Sequence, residues 1–118
     1  MSYDIRLTDP ATGETLMLED KHTLSGGTYA LGGTRECWLN VTYNYGHIFR
    51  RIMGPNGIRV LYGKTGAETA PLLRAAAEVL AEDTCENYWV ATEGNVRRAL
   101  LDLATLAELQ PQGVWKGD

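Results

Sequence analysis

The chain has 118 residues, 44% of them hydrophobic and 22% charged, with a formal net charge of −4. That length holds one core, so a single domain covering residues 1–118 is expected. The acidic balance argues against a surface built to neutralise nucleic-acid phosphates or anionic lipid, both of which reward clustered Lys and Arg. The N-terminal MSYDIRL lacks a charged-then-apolar leader pattern, and no apolar run is long enough to span a bilayer. The expectation is a soluble, cytoplasmic protein with no membrane contact. Cys37 and Cys85 are far apart and belong to no CxxC pair. They read as two reduced, buried thiols and not as a disulfide framework or a metal site.

Taken in chain order, residues 3–8 alternate, with Tyr3, Ile5 and Leu7 on one side and Asp4, Arg6 and Thr8 on the other. That is a half-buried strand. Asp9–Gly13 (DPATG) is a turn, and residues 14–19 read as the returning strand of a hairpin. Residues 20–25 are a polar loop. Gly-Gly-Thr then occurs at 26–28 and again at 32–34, bracketing a short strand over 28–31. Residues 36–44 form the best strand pattern in the chain. Cys37, Leu39, Val41 and Tyr43 make a core face. Trp38, Asn40, Thr42 and Asn44 make a face of one large ring and three short hydrogen-bonding groups.

Residues 45–53 have helical spacing of Ile48, Phe49, Ile52 and Met53, with Asn44 as N-cap. Residues 54–57 (GPNG) close that helix as a turn, and the apolar run 58–62 is too short to assign to helix or strand. A helix is predicted over 67–83, with a buried stripe of Leu72, Leu73, Ala76, Val79 and Leu80 and with Arg74, Glu78 and Glu82 outside. Residues 84–91 are a connection that carries Tyr88 and Trp89. A second long helix runs from about 93 to 109, capped by Thr92, and it buries Val96, Ala99, Leu100, Leu103, Leu106 and Ala107. Residues 110–113 stop it, and 114–118 read as a tail. Strands precede helices, so the expected class is α+β. A small antiparallel sheet, the N-terminal hairpin plus strand 36–44, packs against two long C-terminal helices and one short helix.

The stretch GIRVLYGKTG (57–66) invites a phosphate-loop reading that its spacing refuses. Five residues separate Gly57 from Gly63 where the motif needs four, and they are bulky and largely apolar. Thr65 and Glu68 form a T-x-x-E capping box. Pro71 favours the alternative N-cap at Thr69, which leaves Pro71 in the first turn. Lys64 then precedes a helix N-terminus as a weak anion site. No HExxH or GxSxG is present, and the only serines are Ser2 and Ser25. No catalytic pair is assignable from spacing, although His47 or Cys85 would be the residues of a small hydrolase or transferase. No cofactor is implied.

The stretches DPATGE (9–14), GGTY (26–29), WLNVTYNY (38–45), GIRVLYG (57–63), NYW (87–89), TEGN (92–95) and WKGD (115–118) together resemble small uncharacterised proteins of phages and prophages. The resemblance covers nearly the whole chain and implies a small protein that binds and blocks a factor of the infected cell. The residues lead to a non-enzymatic binding protein, with a small polar, nucleotide-like ligand as the partner that its polar face suggests and a host protein as the partner that the resemblance implies. The expected surface is Trp38, Asn40, Thr42, Asn44, Tyr45, His47, Arg50 and Arg51, with Lys64 as the separate anion position. A structural homo-oligomer, with exposed rings at a subunit interface, is the remaining alternative.

Overall fold

The computed structural model describes residues 1–24 and 32–118. The short strand expected over 28–31, with the first glycine pair, lies outside the described residues. The fold is α+β. Strands β1 (Ser2–Thr8), β4 (Trp38–Thr42) and β5 (Val114–Lys116) form an antiparallel sheet in the order β4-β1-β5. Strands β2 (Met17–His22) and β3 (Thr34–Glu36) form a second antiparallel pair. Helices α1 (Gly46–Met53), α2 (Gly66–Glu78) and α3 (Glu93–Leu109) complete the order, with 3-10 turns at Tyr43–Tyr45 and Gly57–Leu61.

β1 is central because its alternation buries Tyr3, Ile5 and Leu7 while both edges find partners. The chain reverses at Asp9–Glu14: Asp9 N–H donates to the Glu14 carbonyl at 2.8 Å, and Leu16 N–H donates to the Leu7 carbonyl at 2.9 Å. The returning segment then leaves β1. Leu16 accepts from Cys37 N–H at 2.9 Å, and from Met17 onward the chain pairs with β3 instead. The predicted strand 36–44 is correspondingly divided. Cys37 is the point where the chain passes from β3 to β4, and the strand ends at Thr42. Asn44 does not cap α1, which starts after Tyr45 without a side-chain cap; Thr42 instead caps the preceding 3-10 turn, its side chain accepting from Asn44 N–H at 3.2 Å.

α3 follows the sequence pattern closely. Thr92 caps it by accepting from Asn95 N–H at 3.1 Å, and all six expected stripe residues are buried. α2 departs from expectation in three ways. Its N-cap is Thr65, not Thr69. The capping box is complete, with Glu68 N–H donating to Thr65 Oγ1 at 3.1 Å and Thr65 N–H donating to Glu68 Oε1 at 3.1 Å. Pro71 therefore sits inside the helix. Elsewhere in the first turn, Gly66 N–H donates to the Gly113 carbonyl and Ala67 N–H to the Pro111 carbonyl, both at 2.9 Å. These external acceptors fix the start at Gly66, and they outweigh the one bond that Pro71 forgoes. The approach is close: a Cβ at Gly66 would lie 2.6 Å from the Ala107 carbonyl oxygen.

α2 also ends at Glu78, earlier than 83, and its buried line is Thr69, Ala70, Leu73 and Ala77, with Leu80 just beyond. Leu72 and Val79 of the expected stripe are 38% and 68% exposed. They line, with Ile52, Met53, Val60, Ala75 and Ala76, an open apolar groove of about 350 Å³. The run 58–62 is mostly a 3-10 turn that buries Ile58 and Leu61.

The segment expected to be a tail is β5. Its register with β1 pairs Leu7 with Trp115 and Thr8 with Val114. Its other edge meets the 63–65 turn, with Gly63 N–H donating to the Trp115 carbonyl and Trp115 N–H to the Lys64 carbonyl, both at 2.9 Å. Trp115 is fully buried, and its indole N–H donates to Thr69 Oγ1 at 2.7 Å. One ring thus joins the sheet to the first turn of α2 and satisfies its only polar atom.

Candidate binding surface

The site residues expected from sequence fall into three places. The first is the outer face of β1 and β4. Cross-strand pairing sets Asp4 against Asn40 and Arg6 against Trp38. The Asp4 carboxylate accepts from Asn40 Nδ2 at 2.7 Å and from Trp38 Nε1 at 3.2 Å, and Asn40 Nδ2 also lies 2.7 Å from Ser2 Oγ. The polar groups here answer one another across the strands. Thr42 is buried, and its hydroxyl is engaged as the cap described above.

The third place is the 63–65 turn. Lys64 precedes α2, but the first-turn donors of that helix, Gly66, Ala67, Glu68 and Thr69, all have acceptors within the chain. The N–H groups that would hold an anion beside Lys64 are spent.

The second place gathers the most. Asn44, His47 and Arg51 recur at three- and four-residue intervals, so they share one exposed side of the 3-10 turn and α1. That side adjoins the 87–93 connection through three tethers. Asn44 Nδ2 donates to the Trp89 carbonyl at 2.8 Å. The hydroxyl of Tyr45 donates to the Tyr88 carbonyl. Arg51 Nη2 donates to Glu93 Oε2 at 3.0 Å, while Glu93 Oε1 accepts from Ala81 N–H at 2.9 Å. Tyr45 itself is 1% exposed and packs edge-on against Phe49, so it acts as a strut beneath the surface. Burial pushes its phenol up to about 12 and keeps the hydroxyl a donor. The Ala81 N–H, and then Arg51, hold the Glu93 carboxyl below its usual range. Arg50 faces elsewhere and bends back past Gly46 and Gly57.

The connection is fixed by Asn95, a residue that sequence reasoning passed over. It is buried, and its Nδ2 donates to the Val90 carbonyl at 2.9 Å and the Asn87 carbonyl at 3.3 Å, while its Oδ1 accepts from Cys85 N–H at 3.1 Å. Asn87 Oδ1 accepts from Trp89 N–H at 3.1 Å. A loop so held presents what it exposes in one geometry. Beside the exposed Asn87 it presents two large apolar residues, Trp89 at 42% and Val90 at 43% exposure, with the Tyr88 and Trp89 rings 5.5 Å apart. The only available signal was an asparagine one turn inside a helix that already had a cap, a place where short polar side chains turn back onto loop backbone.

His47 is exposed on the helix, and Cys85 is half-buried and not fully buried as expected, while burial pushes the Cys37 thiol up to about 11. Among the described residues no cluster of His, Cys, Asp and Glu could hold a metal ion, and no helix is long and apolar enough to cross a membrane. Comparison with family models, curated proteins and solved structures finds no match to this chain.

Proposed function

We propose that this chain is a non-enzymatic protein-binding module, and that its contact surface is the exposed side of α1 together with the 87–93 connection. The observation that carries the reading is Trp89 and Val90, both more than two-fifths exposed, on a loop stapled by a buried asparagine. An exposed apolar ring on a mobile loop is ordinary. One on a pre-ordered loop, rimmed by Asn44, His47 and Arg51, has the composition of an interface anchor with a polar rim. The polar face of the sheet is the weaker support for a small ligand, since Asp4, Asn40 and Trp38 already satisfy one another there. The resemblance to phage and prophage proteins suggests the partner class, a protein of the infected cell. Trp89→Ser should weaken capture of that partner by about 2 kcal/mol or more, roughly thirtyfold, without changing stability by more than about 0.5 kcal/mol. An unchanged affinity in a folded Trp89→Ser protein removes the proposal.

A further inference from the structure

A second recognition geometry lies around Asp118, carried by residues other than those that hold Trp89. Beyond the Arg6–Lys116 pair, β5 no longer bonds to β1 through main chain alone. Instead Asp4 N–H donates to Asp118 Oδ1 at 2.9 Å, and the Tyr43 hydroxyl donates to Oδ2 at 3.3 Å. The main-chain oxygen of Asp118 accepts from Arg59 Nε at 2.8 Å and from the Tyr62 hydroxyl at 3.4 Å. Arg59 is itself oriented by two rings, its guanidinium lying 5.0 Å from the Tyr3 centroid and 5.9 Å from that of Tyr43. Both carboxylate oxygens and the main-chain oxygen are thus read by separate donors drawn from β1, the 3-10 turn at Tyr43–Tyr45 and the segment 59–62. The Asp118 carboxyl is held below its usual range, chiefly by the Asp4 N–H. Residue 117 is constrained independently. A Cβ there would press on the Tyr62 hydroxyl and lie 2.8 Å from the Asp4 carbonyl oxygen, so the approach admits glycine alone.

We propose that Asp4 N–H, Tyr43, Arg59 and Tyr62 form a recognition seat for a Gly-Asp segment of an acidic peptide, filled in cis by Gly117–Asp118 and open in trans when that segment is displaced. The mode is an extension of strand addition: an extended segment continues alongside β1, and a carboxylate takes the N–H that main chain would otherwise pair. The cis segment competes at the high effective concentration of a tethered ligand, so wild-type protein resists a free peptide.

The test uses the 118-residue chain and the probe acetyl-Gly-Asp, followed by amide and arginine side-chain NMR. In Gly117→Val/Asp118→Gly protein, whose residue 117 no longer fits against Tyr62 and the Asp4 carbonyl, the Asp4 amide and Arg59 Nε–H signals should shift saturably, with a midpoint of roughly 1 mM. Wild-type protein should shift at least about tenfold less at the same probe concentration, because the tethered segment already holds the seat. Acetyl-Gly-Asn and acetyl-Ala-Asp should each bind about tenfold more weakly, the first for want of charge and the second for want of room. Arg59→Met in the Gly117→Val/Asp118→Gly background should abolish saturation. Asp118 is exposed, so its loss leaves the core intact, and Asp118→Asn gives a second way to weaken the cis contact without altering shape. Equal shifts with acetyl-Gly-Asp and acetyl-Gly-Asn, or saturation that survives Arg59→Met, overturn the proposal. Neither result bears on Trp89 and the α1 surface.

Discussion

Replacing Trp115 with phenylalanine should unfold this protein more readily than almost any other conservative change. The ring is fully buried, and its N–H donates at 2.7 Å to Thr69 Oγ1, which in turn bonds the Thr65 carbonyl at 2.9 Å. Phenylalanine removes the hydrogen bond and leaves a partial cavity, a loss of about 2–3 kcal/mol. For a chain of this size that corresponds to a fall in Tm of roughly 8–12 °C. Thr69→Val keeps the volume but leaves the buried indole N–H without an acceptor, which costs about 1–3 kcal/mol. The double variant removes donor and acceptor together. Its loss should fall short of the sum of the single losses by about 1 kcal/mol, the coupling of a buried pair. Urea unfolding with a constant m value gives all of these quantities. A Trp115→Phe loss below about 0.5 kcal/mol, in the range of ordinary surface changes, would refute the assignment of β5 as an integral strand, and strict additivity would refute the hydrogen bond as its latch.

Thr65→Ala removes the capping box of α2 and should cost about 1 kcal/mol, read by the same unfolding assay. Asn95→Ala should release the 85–92 connection. Amide exchange at Cys85 should then accelerate more than tenfold, because its hydrogen bond to Asn95 Oδ1 is lost, while exchange in α2 barely changes. At pH 8 native protein should react with iodoacetamide at Cys85 well before Cys37, whose thiol is buried and shifted to about 11; urea should equalise the two rates. Glu93 and Asp118 both have carboxyl groups held below their ordinary values, so the unfolded chain binds their protons first on acidification. Their contribution is present above the ordinary carboxylate range and is lost as pH falls below that range and through the lowered folded-state values. Glu93→Gln combined with Asp118→Asn should therefore flatten the decline of stability below about pH 5, and an unchanged slope would contradict both placements.

How legible each element was depended on whether its determinants were local. α3 could be read whole, since its cap, its 3.6-residue period and its stop all lie within the segment. α2 could not. It is apolar on more than one side, with Leu72, Leu73, Ala75, Ala76, Ala77, Val79 and Leu80 all within nine positions, so periodicity alone does not choose which side faces α3. Pro71 pointed to the wrong cap because the acceptors that fix the true start, at Gly113 and Pro111, come from the far end of the chain. β5 was hidden for the same reason: the Thr8 hydroxyl donates to the Val114 carbonyl across 106 positions. Among the site residues, the spacing of Asn44, His47 and Arg51 was visible. The exposure of Trp89 and the staple from Asn95 were not, because both depend on where a loop without periodicity comes to rest.

Native mass spectrometry of wild-type and Trp89→Ser protein, each isolated gently from the cells that produce it, decides whether this chain binds a protein partner through Trp89. Wild-type protein should carry a second polypeptide at fixed stoichiometry, lost on denaturation, and Trp89→Ser protein should appear without it at an unchanged charge-state distribution. A bare wild-type monomer, a bound small molecule in place of a polypeptide, or a partner retained in full by Trp89→Ser would contradict it.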